Sequence, residues 1–363
     1  MSTSIIEYRE APASAIAIAV LMSGGLDSSA AASILLEQGY KVTSLTARLC
    51  DESCGTHSNV SENAKQVAAF LGIRHKVIDL RKPFKRLIIE PFLNEYAHGR
   101  TPSPCIRCNE LIKFGLLMDE AIKMSFNYIA TGHYVLRERK ESLWYLLKGK
   151  DTEKDQSYFL HRLNQLQLGR SLFPLGEWTK NKVAKYVRDK GIPIKEKPES
   201  QDLCFINGSN YARFIEQHLP ALKSSGPIMD KHGKRIGEHT GFYKYTLGQR
   251  YGIGISSKSR LYVLNIDAQS NTVVVGAREE GMSSACIVKD VNWLVPFHGN
   301  GNNCTVRLRS RHKGVQASIS VCGAGAVKCF FSTRQFAVTP GQAAVFYDGK
   351  TLLGGGWLES STA

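Results

Sequence analysis

The chain has 363 residues and a formal net charge of +15. That length exceeds one ordinary domain of ~100–200 residues and predicts two or three. A hydrophobic content of 43% with 22% charged residues excludes a largely disordered or fibrous chain. No apolar run reaches the ~18–20 residues that span a bilayer. Glu7, Arg9 and Glu10 precede a short apolar stretch, which is the wrong charge order for a secretory signal. We therefore expect a cytoplasmic protein with no membrane partner.

The excess of basic residues indicates an anionic partner. A polyanion such as RNA or DNA is the commonest partner of a protein with a pI near 9.4, although net charge also serves solubility alone.

In the first half of the chain, short apolar runs alternate with helical patterns. This rhythm predicts an α/β fold with a parallel sheet, because parallel strands need helical crossovers. The predicted strands are Ala15–Met22, Lys41–Ala47, His75–Leu80 and Tyr128–Ala130, and the predicted helices are Ser28–Gln38, Ser61–Leu71, Phe84–His98 and Glu110–Met124.

The pattern changes after about Phe205. Gly226–Gly241 and Gly248–Ser259 are typical of loops, and short β patterns follow from about Ile287. We predict an N-terminal α/β domain over 1–206, a small middle domain over 207–282, and a C-terminal β-barrel over 283–363. The C-terminal strands are predicted at Thr305–Leu308, Gln316–Val321, Val327–Phe331 and Ala343–Tyr347, followed by the run Gly354-Gly355-Gly356.

The segment Ser23-Gly24-Gly25-Leu26-Asp27-Ser28-Ser29 lies between a predicted buried strand and a predicted helix. Glycines allow a tight turn whose N–H groups approach a phosphate, and the helix N-terminus adds partial positive charge. The serine hydroxyls can donate to phosphate oxygens, and Asp27 can help to hold a divalent metal. The loop has no Gly-Lys-Ser/Thr ending and is not a Walker loop. The alternative is an ordinary turn with Ser28 as the helix N-cap.

Three cysteines form the second group. Cys105 and Cys108 form a Cys-x-x-Cys pair, and Cys204 lies in a polar context. A predicted helix dipole and the neighbouring Arg107 favour a Cys108 thiolate. The alternative is that these are inert core residues. Cys50, Cys54 and His57 have loosely ligand-like spacing, but we do not expect metal there.

The glycine-rich loop resembles that of the PP-loop ATP pyrophosphatases, which adenylate a substrate. Over nearly the whole chain, the sequence resembles the tRNA-specific 2-thiouridylases, in a Cys-x-x-Cys variant. The matching blocks are SGGLDSS at 23–29, GRTPSPCIRCN at 99–109, IATGHY at 129–134, KDQSYFL at 154–160, SLFPLGE at 171–177, SQDLCFI at 200–206, GEHTGFYKYTLGQR at 237–250 and TPGQAAVFYDG at 339–349.

The resemblance implies an ATP-dependent enzyme that replaces the C2 oxygen of the wobble uridine of tRNA with sulfur, using Mg²⁺. It implies that Cys204 carries a persulfide sulfur and that Cys108 resolves the intermediate, leaving a disulfide for a thiol reductant. It further implies that the sulfur comes from a protein persulfide donor in a cysteine desulfurase relay. The implied nucleotide-binding residues are Leu21, Met22, Ser23, Gly24, Gly25, Leu26, Asp27, Ser28, Ala47 and Gly132. The implied tRNA-binding residues are Ser103, Pro104, His133, Lys154, Asp155, Gln156, Arg309, Ser310 and Gln342.

Lysines between 180 and 197, together with the basic C-terminal part, are predicted to contact the tRNA backbone. These lysines are Lys180, Lys182, Lys185, Lys190, Lys195 and Lys197.

One departure from the family bears on the mechanism. Many members have Asn-Pro-Asp where this chain has Ser103-Pro104-Cys105, so the family's carboxylate is missing. Cys105, Cys108 and Cys204 could instead ligate a [4Fe–4S] cluster with one open iron, and the persulfide relay and the cluster both stand as mechanisms. Smaller departures are Ala47 for a frequent Met and Ser310 for a frequent Tyr.

Two other functions compete with this hypothesis. A PP-loop synthetase acting on a small carboxylate, like argininosuccinate synthetase, would explain the glycine-rich loop but neither Cys108 nor Cys204. A non-catalytic RNA-binding protein would use its cysteines structurally.

Overall fold

A computed structural model describes residues 12–51, 60–195, 203–206, 210–257, 259–297, 303–323 and 325–362. It divides into two compact units. The first unit comprises residues 1–87, 105–209 and 350–352, and the second comprises 88–104, 210–349 and 353–363. Cys54, His57 and Lys197 of the sequence analysis, and the first three residues of the matching block at 200–206, lie outside the described residues.

A five-stranded parallel sheet forms the centre of the first unit. Its strands are β1 (Ala17–Leu21), β2 (Lys41–Arg48), β3 (Arg74–Asp79), β4 (Tyr128–Ala130) and β7 (Ser171–Leu172), in the order β3-β2-β1-β4-β7. The middle of β1 is buried, as expected for an apolar strand covered on both faces. The α/β prediction is confirmed.

Eight α-helices of the described residues lie between or after these strands along the chain. They are α1 (Leu26–Glu37), α2 (Val60–Phe70), α3 (Arg81–Phe84), α4 (Glu90–Ala97), α5 (Pro104–Arg107), α6 (Leu117–Lys123), α7 (Gln165–Gly169) and α8 (Lys180–Asp189). Two π-helical segments interrupt them, at Lys85–Ile89 and at Cys108–Leu116. The predicted continuous helices 84–98 and 110–124 are therefore composite, and the second begins six residues earlier, at Pro104. Proline is favoured at the first helical position, where its missing N–H has no helical partner.

An antiparallel hairpin in the first unit was missed by the sequence patterns. Its strands are β5 (Val135–Lys140) and β6 (Leu143–Lys148), and Thr351 and Leu352 pair with β6. β5 (VLRERK) is mostly charged and β6 (LWYLLK) is mostly apolar, so neither strand shows the apolar–polar alternation that predicts a strand.

The second unit contains helix α9 (Tyr211–His218) and a four-stranded sheet. Its strands are β8 (Gly226–Asp230), β9 (Arg235–His239), β10 (Tyr262–Asp267) and β11 (Thr272–Gly276), in the order β10-β11-β8-β9. The prediction that 226–241 is loop is therefore wrong, because β8 and β9 form a hairpin there.

Six antiparallel strands complete the second unit as a closed barrel. They are β12 (Met282–Trp293), β13 (Asn303–Arg307), β14 (Val315–Gly323), β15 (Ala326–Phe336), β16 (Ala343–Asp348) and β17 (Thr351–Thr362), and pairing of β12 with both β15 and β17 closes the ring. The predicted barrel is confirmed. Gly354 and Gly356 lie inside β17, where a Cβ would meet the carbonyl oxygens of Asn292 and Lys289 at 2.3 Å and 2.5 Å. Only glycine allows this approach.

No helix within the described ranges is long and apolar enough to cross a membrane.

Candidate active site

The glycine-rich loop lies at the carboxyl edge of the parallel sheet. It follows β1, which pairs with β2 on one side and with β4 on the other. The chain runs outward from β1 through β2 to β3 and then returns to the opposite side at β4. Such a reversal of strand order opens a crevice at the carboxyl ends of the strands, where open α/β sheets bind ligands. The fold thus places residues 23–29 where a ligand site is expected.

Hydrogen bonds within the loop fix its shape. The Ser23 backbone N–H donates to Ser28 Oγ at 3.2 Å, and Ser29 Oγ donates to the Gly25 carbonyl at 2.8 Å. Gly25 is the N-cap of α1, so the alternative with Ser28 as N-cap is wrong. Because Gly25 has no side chain to cap the helix, the first N–H groups of α1 are left to bind an anion.

Close packing makes two glycines of the site irreplaceable. Gly24 has φ +68°, and a Cβ there would lie 2.5 Å from the Ala64 nitrogen and the Asn63 carbonyl carbon. Gly132 follows β4, and a Cβ there would lie 2.7 Å from the Asp27 carbonyl carbon. Gly132, predicted to contact ATP, therefore packs directly on the start of α1.

The other predicted nucleotide-binding residues lie on neighbouring strands. Leu21 ends β1, and Met22 is buried beside β2 through the bond from its N–H to the Leu45 carbonyl at 2.9 Å. Ala47 is near the carboxyl end of β2. The sheet thus brings these residues to the same edge.

The Asp27 carboxylate is already bound by side chains. Lys180 Nζ donates to both carboxylate oxygens at 2.8 Å, and Tyr134 Oη donates to Oδ1 at 2.7 Å. Mg²⁺ is usually held by one or two carboxylates together with substrate phosphates. Because both Asp27 oxygens contact Lys180, the described residues do not fit a preformed magnesium site. Lys180, predicted to contact the tRNA backbone, forms its ion pair with Asp27 at the loop.

Cys108 begins the π-helical segment and is buried. Burial raises the pKa of its thiol to about 11, against the opposing effect of the Lys113 charge. The prediction of a favoured thiolate is wrong for this state. The helix starts at Pro104, so Cys108 lies a full turn inside it, where the helix dipole has little effect on the thiol. The removal of the thiol from water therefore determines the direction of its pKa shift.

Cys204 lies near Cys108, although 96 positions separate them in the sequence. Burial raises the pKa of the half-buried Cys204 thiol, and negative charge on Cys108 or Cys105 raises it further. All three are reduced thiols, and Cys105 is exposed to solvent. Across the described ranges, no three His, Cys, Asp or Glu side chains form a group able to hold a metal ion.

Lys113 is a residue of this site that sequence reasoning assigned no role. Its positive charge lowers the pKa values of Cys108 and Cys204, where burial raises them. It also lowers the pKa of His133, where burial acts in the same direction. Lys113 follows Cys108 by five residues, which in an α-helix places the two about 140° apart. In the π-helical segment, where the Leu117 N–H donates to the Ile112 carbonyl five residues back, residues five apart share a face. Only a predicted π-helix would have drawn attention to this pair.

The predicted tRNA-binding residues of the first unit make internal contacts. His133 is buried between Phe114 and Phe173, and Thr131 Oγ1 lies 2.8 Å from its Nδ1. Burial lowers its pKa well below the ordinary value, so the imidazole is neutral. Gln156 Oε1 accepts from the Tyr134 N–H at 3.0 Å, and Asp155 accepts from Ser157. Lys154 donates its backbone N–H to the Asp151 side chain at 3.2 Å.

In the second unit, Gln342 holds the segment before the Cys-x-x-Cys pair. Its Nε2 donates to the carbonyls of Thr101 and Pro102 at 2.9 Å and 3.3 Å, next to the predicted Ser103 and Pro104. The predicted Arg309 is exposed, and the Ser310 carbonyl accepts from Arg307.

Of the predicted lysines, two more are in ion pairs on the surface. Lys185 pairs with Asp189 at 2.6 Å, and Lys190 pairs with Glu37. Lys182 lies over the Trp178 ring at 4.0 Å.

Comparison with known proteins matches three family profiles in order along the chain. They are described as a tRNA methyl transferase HUP domain over residues 16–208, a tRNA methyl transferase PRC-barrel domain over 212–277, and an aminomethyltransferase β-barrel domain over 283–358.

Curated relatives cover almost the full chain. The tRNA-specific 2-thiouridylase MnmA of Halothermothrix orenii is 41% identical over 355 residues, which are 95% of this chain and 99% of the relative. The chain belongs to the tRNA-specific 2-thiouridylase family. Another family member, from Geotalea uraniireducens, is 40% identical over 94% of both chains. Among solved structures, the U34-tRNA thiolase NcsA from Methanococcus maripaludis with its [4Fe-4S] cluster matches at 16% identity and TM-score 0.37, over 60% of this chain and 68% of that chain.

Proposed function

We propose that the protein is an ATP-dependent tRNA sulfurtransferase that replaces the C2 oxygen of the wobble uridine with sulfur and releases AMP and pyrophosphate. One observation carries the proposal. The same compact unit contains a glycine-rich loop at the switch point of its sheet and two neighbouring thiols, Cys108 and Cys204. A synthetase for small acids has no use for the thiols, and a structural role for them does not require the loop.

The first step activates a poor leaving group. In our proposal the loop 23–29 and the uncapped start of α1 bind the ATP phosphates. The uridine O2 attacks the α-phosphorus, the bond to the β-phosphate oxygen breaks, and pyrophosphate leaves. Lys180, at 2.8 Å from both Asp27 oxygens, supplies a positive charge beside the loop, where negative charge accumulates on the phosphates.

The second step transfers sulfur. A protein persulfide donor delivers a sulfur atom that Cys204 carries as a persulfide. The outer sulfur attacks C2, and AMP leaves with the original oxygen. The Cys108 thiolate then attacks the Cys204 sulfur, the S–S bond to the base breaks, and 2-thiouridine and a Cys108–Cys204 disulfide result. A thiol reductant restores both thiols. Cys108 needs a base or a substrate-induced change to lose its proton, because its pKa is about 11 in this structure.

The tRNA substrate accounts for the basic composition. A base inside the anticodon stack cannot reach a buried thiol, so the uridine must leave the stack. We infer that residues 1–206 carry out the chemistry, that 207–282 and the barrel 283–363 bind tRNA, and that the enzyme works in the cytoplasm beside its substrate.

Product analysis tests the proposal. Purified protein, unmodified tRNA transcript, ATP and a persulfide donor should give 2-thiouridine by nucleoside mass spectrometry. Cys108→Ser and Cys204→Ser should abolish the product and keep tRNA-dependent pyrophosphate release. Cys322→Ser is the matched control, since Cys322 is an exposed thiol of the second unit. Pyrophosphate release that responds to citrulline and ignores tRNA would refute the proposal.

Metal analysis separates the relay from the cluster. We propose the relay, because the described thiols do not form a metal-binding group. Anaerobically purified wild type and Cys105→Ser should both lack iron and inorganic sulfide and remain active. Stoichiometric iron that disappears in Cys105→Ser together with activity would favour the cluster.

A further inference from the structure

Tyr251 is the most exposed large hydrophobic side chain in the described part of the chain, at 78% of its full accessible surface. It lies in the second unit, in the connection between β9 and β10. An aromatic ring left in water gives up the ~2 kcal/mol that burial provides. Its exposure therefore suggests a role in binding instead of in folding.

The turn that carries Tyr251 is held on both sides. Gln249 Oε1 accepts from the Thr246 N–H at 3.0 Å, and Gln249 Nε2 donates to the Tyr251 carbonyl at 2.9 Å. Beyond the turn, Ile253 is buried and its carbonyl accepts from Tyr245 Oη at 3.5 Å. Since the flanking residues are fixed, Tyr251 is presented outward by a defined turn.

The base of the turn is fixed to neighbouring strands. The Gly248 N–H donates to the Val263 carbonyl at 2.8 Å, and the Val263 N–H donates to the Gln249 carbonyl at 2.9 Å. Gly248 has φ +82°, and a Cβ there would lie 2.5 Å from the Ala337 Cβ. The turn is therefore preorganised, which lowers the entropic cost of binding.

A cation lies beside Tyr251, in a basic stretch of the sequence. The Arg250 guanidinium lies 5.0 Å from the centroid of the Tyr251 ring. From His239 to Ile266 the sequence contains no Asp or Glu, and its four basic residues are Lys244, Arg250, Lys258 and Arg260. Lys244 is already paired with Glu216 at 3.0 Å, so Arg250 is the cation that the structure places beside the ring. An exposed ring with a guanidinium beside it suits a single-stranded nucleic acid, which offers a base to stack and a phosphate to neutralise.

We propose that Arg250 and Tyr251 form a platform on which one unpaired nucleotide of tRNA stacks. The base stacks on Tyr251, and Arg250 faces the adjoining phosphate. The inference rests on the proposed function, because it assigns a contact for the same substrate. It adds a binding element to the middle segment of the chain, away from the loop and the thiols in sequence.

Binding measurements test the platform. We would compare tRNA affinity at 0.15 M salt for wild type, Tyr251→Ser and Tyr251→Phe. Tyr251→Ser should weaken binding at least about fivefold, the lower range for removal of a base-stacking aromatic, and Tyr251→Phe should remain within about twofold. Phe70→Ser is the control, because Phe70 is also exposed, at 52%. Unchanged circular dichroism of Tyr251→Ser would show that the fold is intact.

A second readout reports stacking directly. 2-Aminopurine placed at successive unpaired positions of the transcript should be quenched by wild type at one position and not by Tyr251→Ser. If wild type binds and thiolates tRNA and Tyr251→Ser binds tRNA equally well, the platform is refuted and the proposed function is not. Wild type that does not bind tRNA would overturn both the platform and the proposed function. Lost binding of the protein sulfur donor by Tyr251→Ser, with tRNA affinity unchanged, would also overturn it.

Discussion

Replacing Gly24 by alanine should destabilise the first unit through two separable effects. Gly24 has φ +68°, and its missing Cβ would lie 2.5 Å from two backbone atoms of Asn63 and Ala64. The left-handed backbone costs an alanine about 1–2 kcal/mol, and forcing a methyl group against fixed backbone costs about 1–3 kcal/mol more. The free energy of unfolding should therefore fall by about 2–5 kcal/mol.

Gly72 provides the matched control. Its φ is +66°, and nothing lies within 4 Å of the position of its Cβ. Gly72→Ala should thus lose only the backbone component. Urea titration of both variants should show a loss about 1–3 kcal/mol larger for Gly24→Ala. Only that variant should lose ATP affinity, by equilibrium binding of labelled ATP. Equal losses of stability would refute the close-approach argument, and unchanged ATP affinity would refute the placement of the nucleotide.

Four further predictions concern single side chains. Lys180→Met should raise the KM for ATP about tenfold, because Asp27 then opposes the phosphates, and Lys180→Arg should restore most of it. Alkylation of Cys108 should rise about tenfold per pH unit from 7 to 10, since its pKa of about 11 leaves little thiolate; a plateau below pH 9 contradicts this. Gln342→Glu should lower the thiolation rate more than tRNA affinity, because it loses both donated hydrogen bonds; the opposite split would make Gln342 a direct tRNA contact. Burial lowers the pKa of His161 to about 3 in the folded protein, whereas the unfolded chain has a value of about 6.5. The neutral His161 therefore contributes fully to the free energy of unfolding above pH 6.5, and about 2 kcal/mol of that contribution is lost at pH 5. In urea titrations His161→Gln should lose this component of the acid sensitivity.

Local patterns predicted much of the fold. Strand β1, the glycine-rich loop and helix α1 follow one another, and each depends on residues close in sequence. The composite helix over 104–123 was only partly predicted, because the π-helical segment depends on packing around it and on Gly115, where a Cβ would lie 3.0 Å from the Glu110 carbonyl oxygen. The hairpin of β5 and β6 was missed because neither strand alternates apolar and polar residues. Its strands are recognised only by their pairing with each other.

The sequence by itself determined which chemical groups this protein has: a loop for phosphate, a Cys-x-x-Cys pair, a distant third cysteine and an excess of positive charge. The tertiary structure alone decided how those groups are set. It brings Lys180 to Asp27 across 153 positions, places Cys204 near Cys108, and raises the Cys108 pKa by burial where the sequence predicted a thiolate. The reason is that solvation and charge act through space. The pKa of a group therefore depends on residues that are distant in sequence and that no local sequence pattern relates to it.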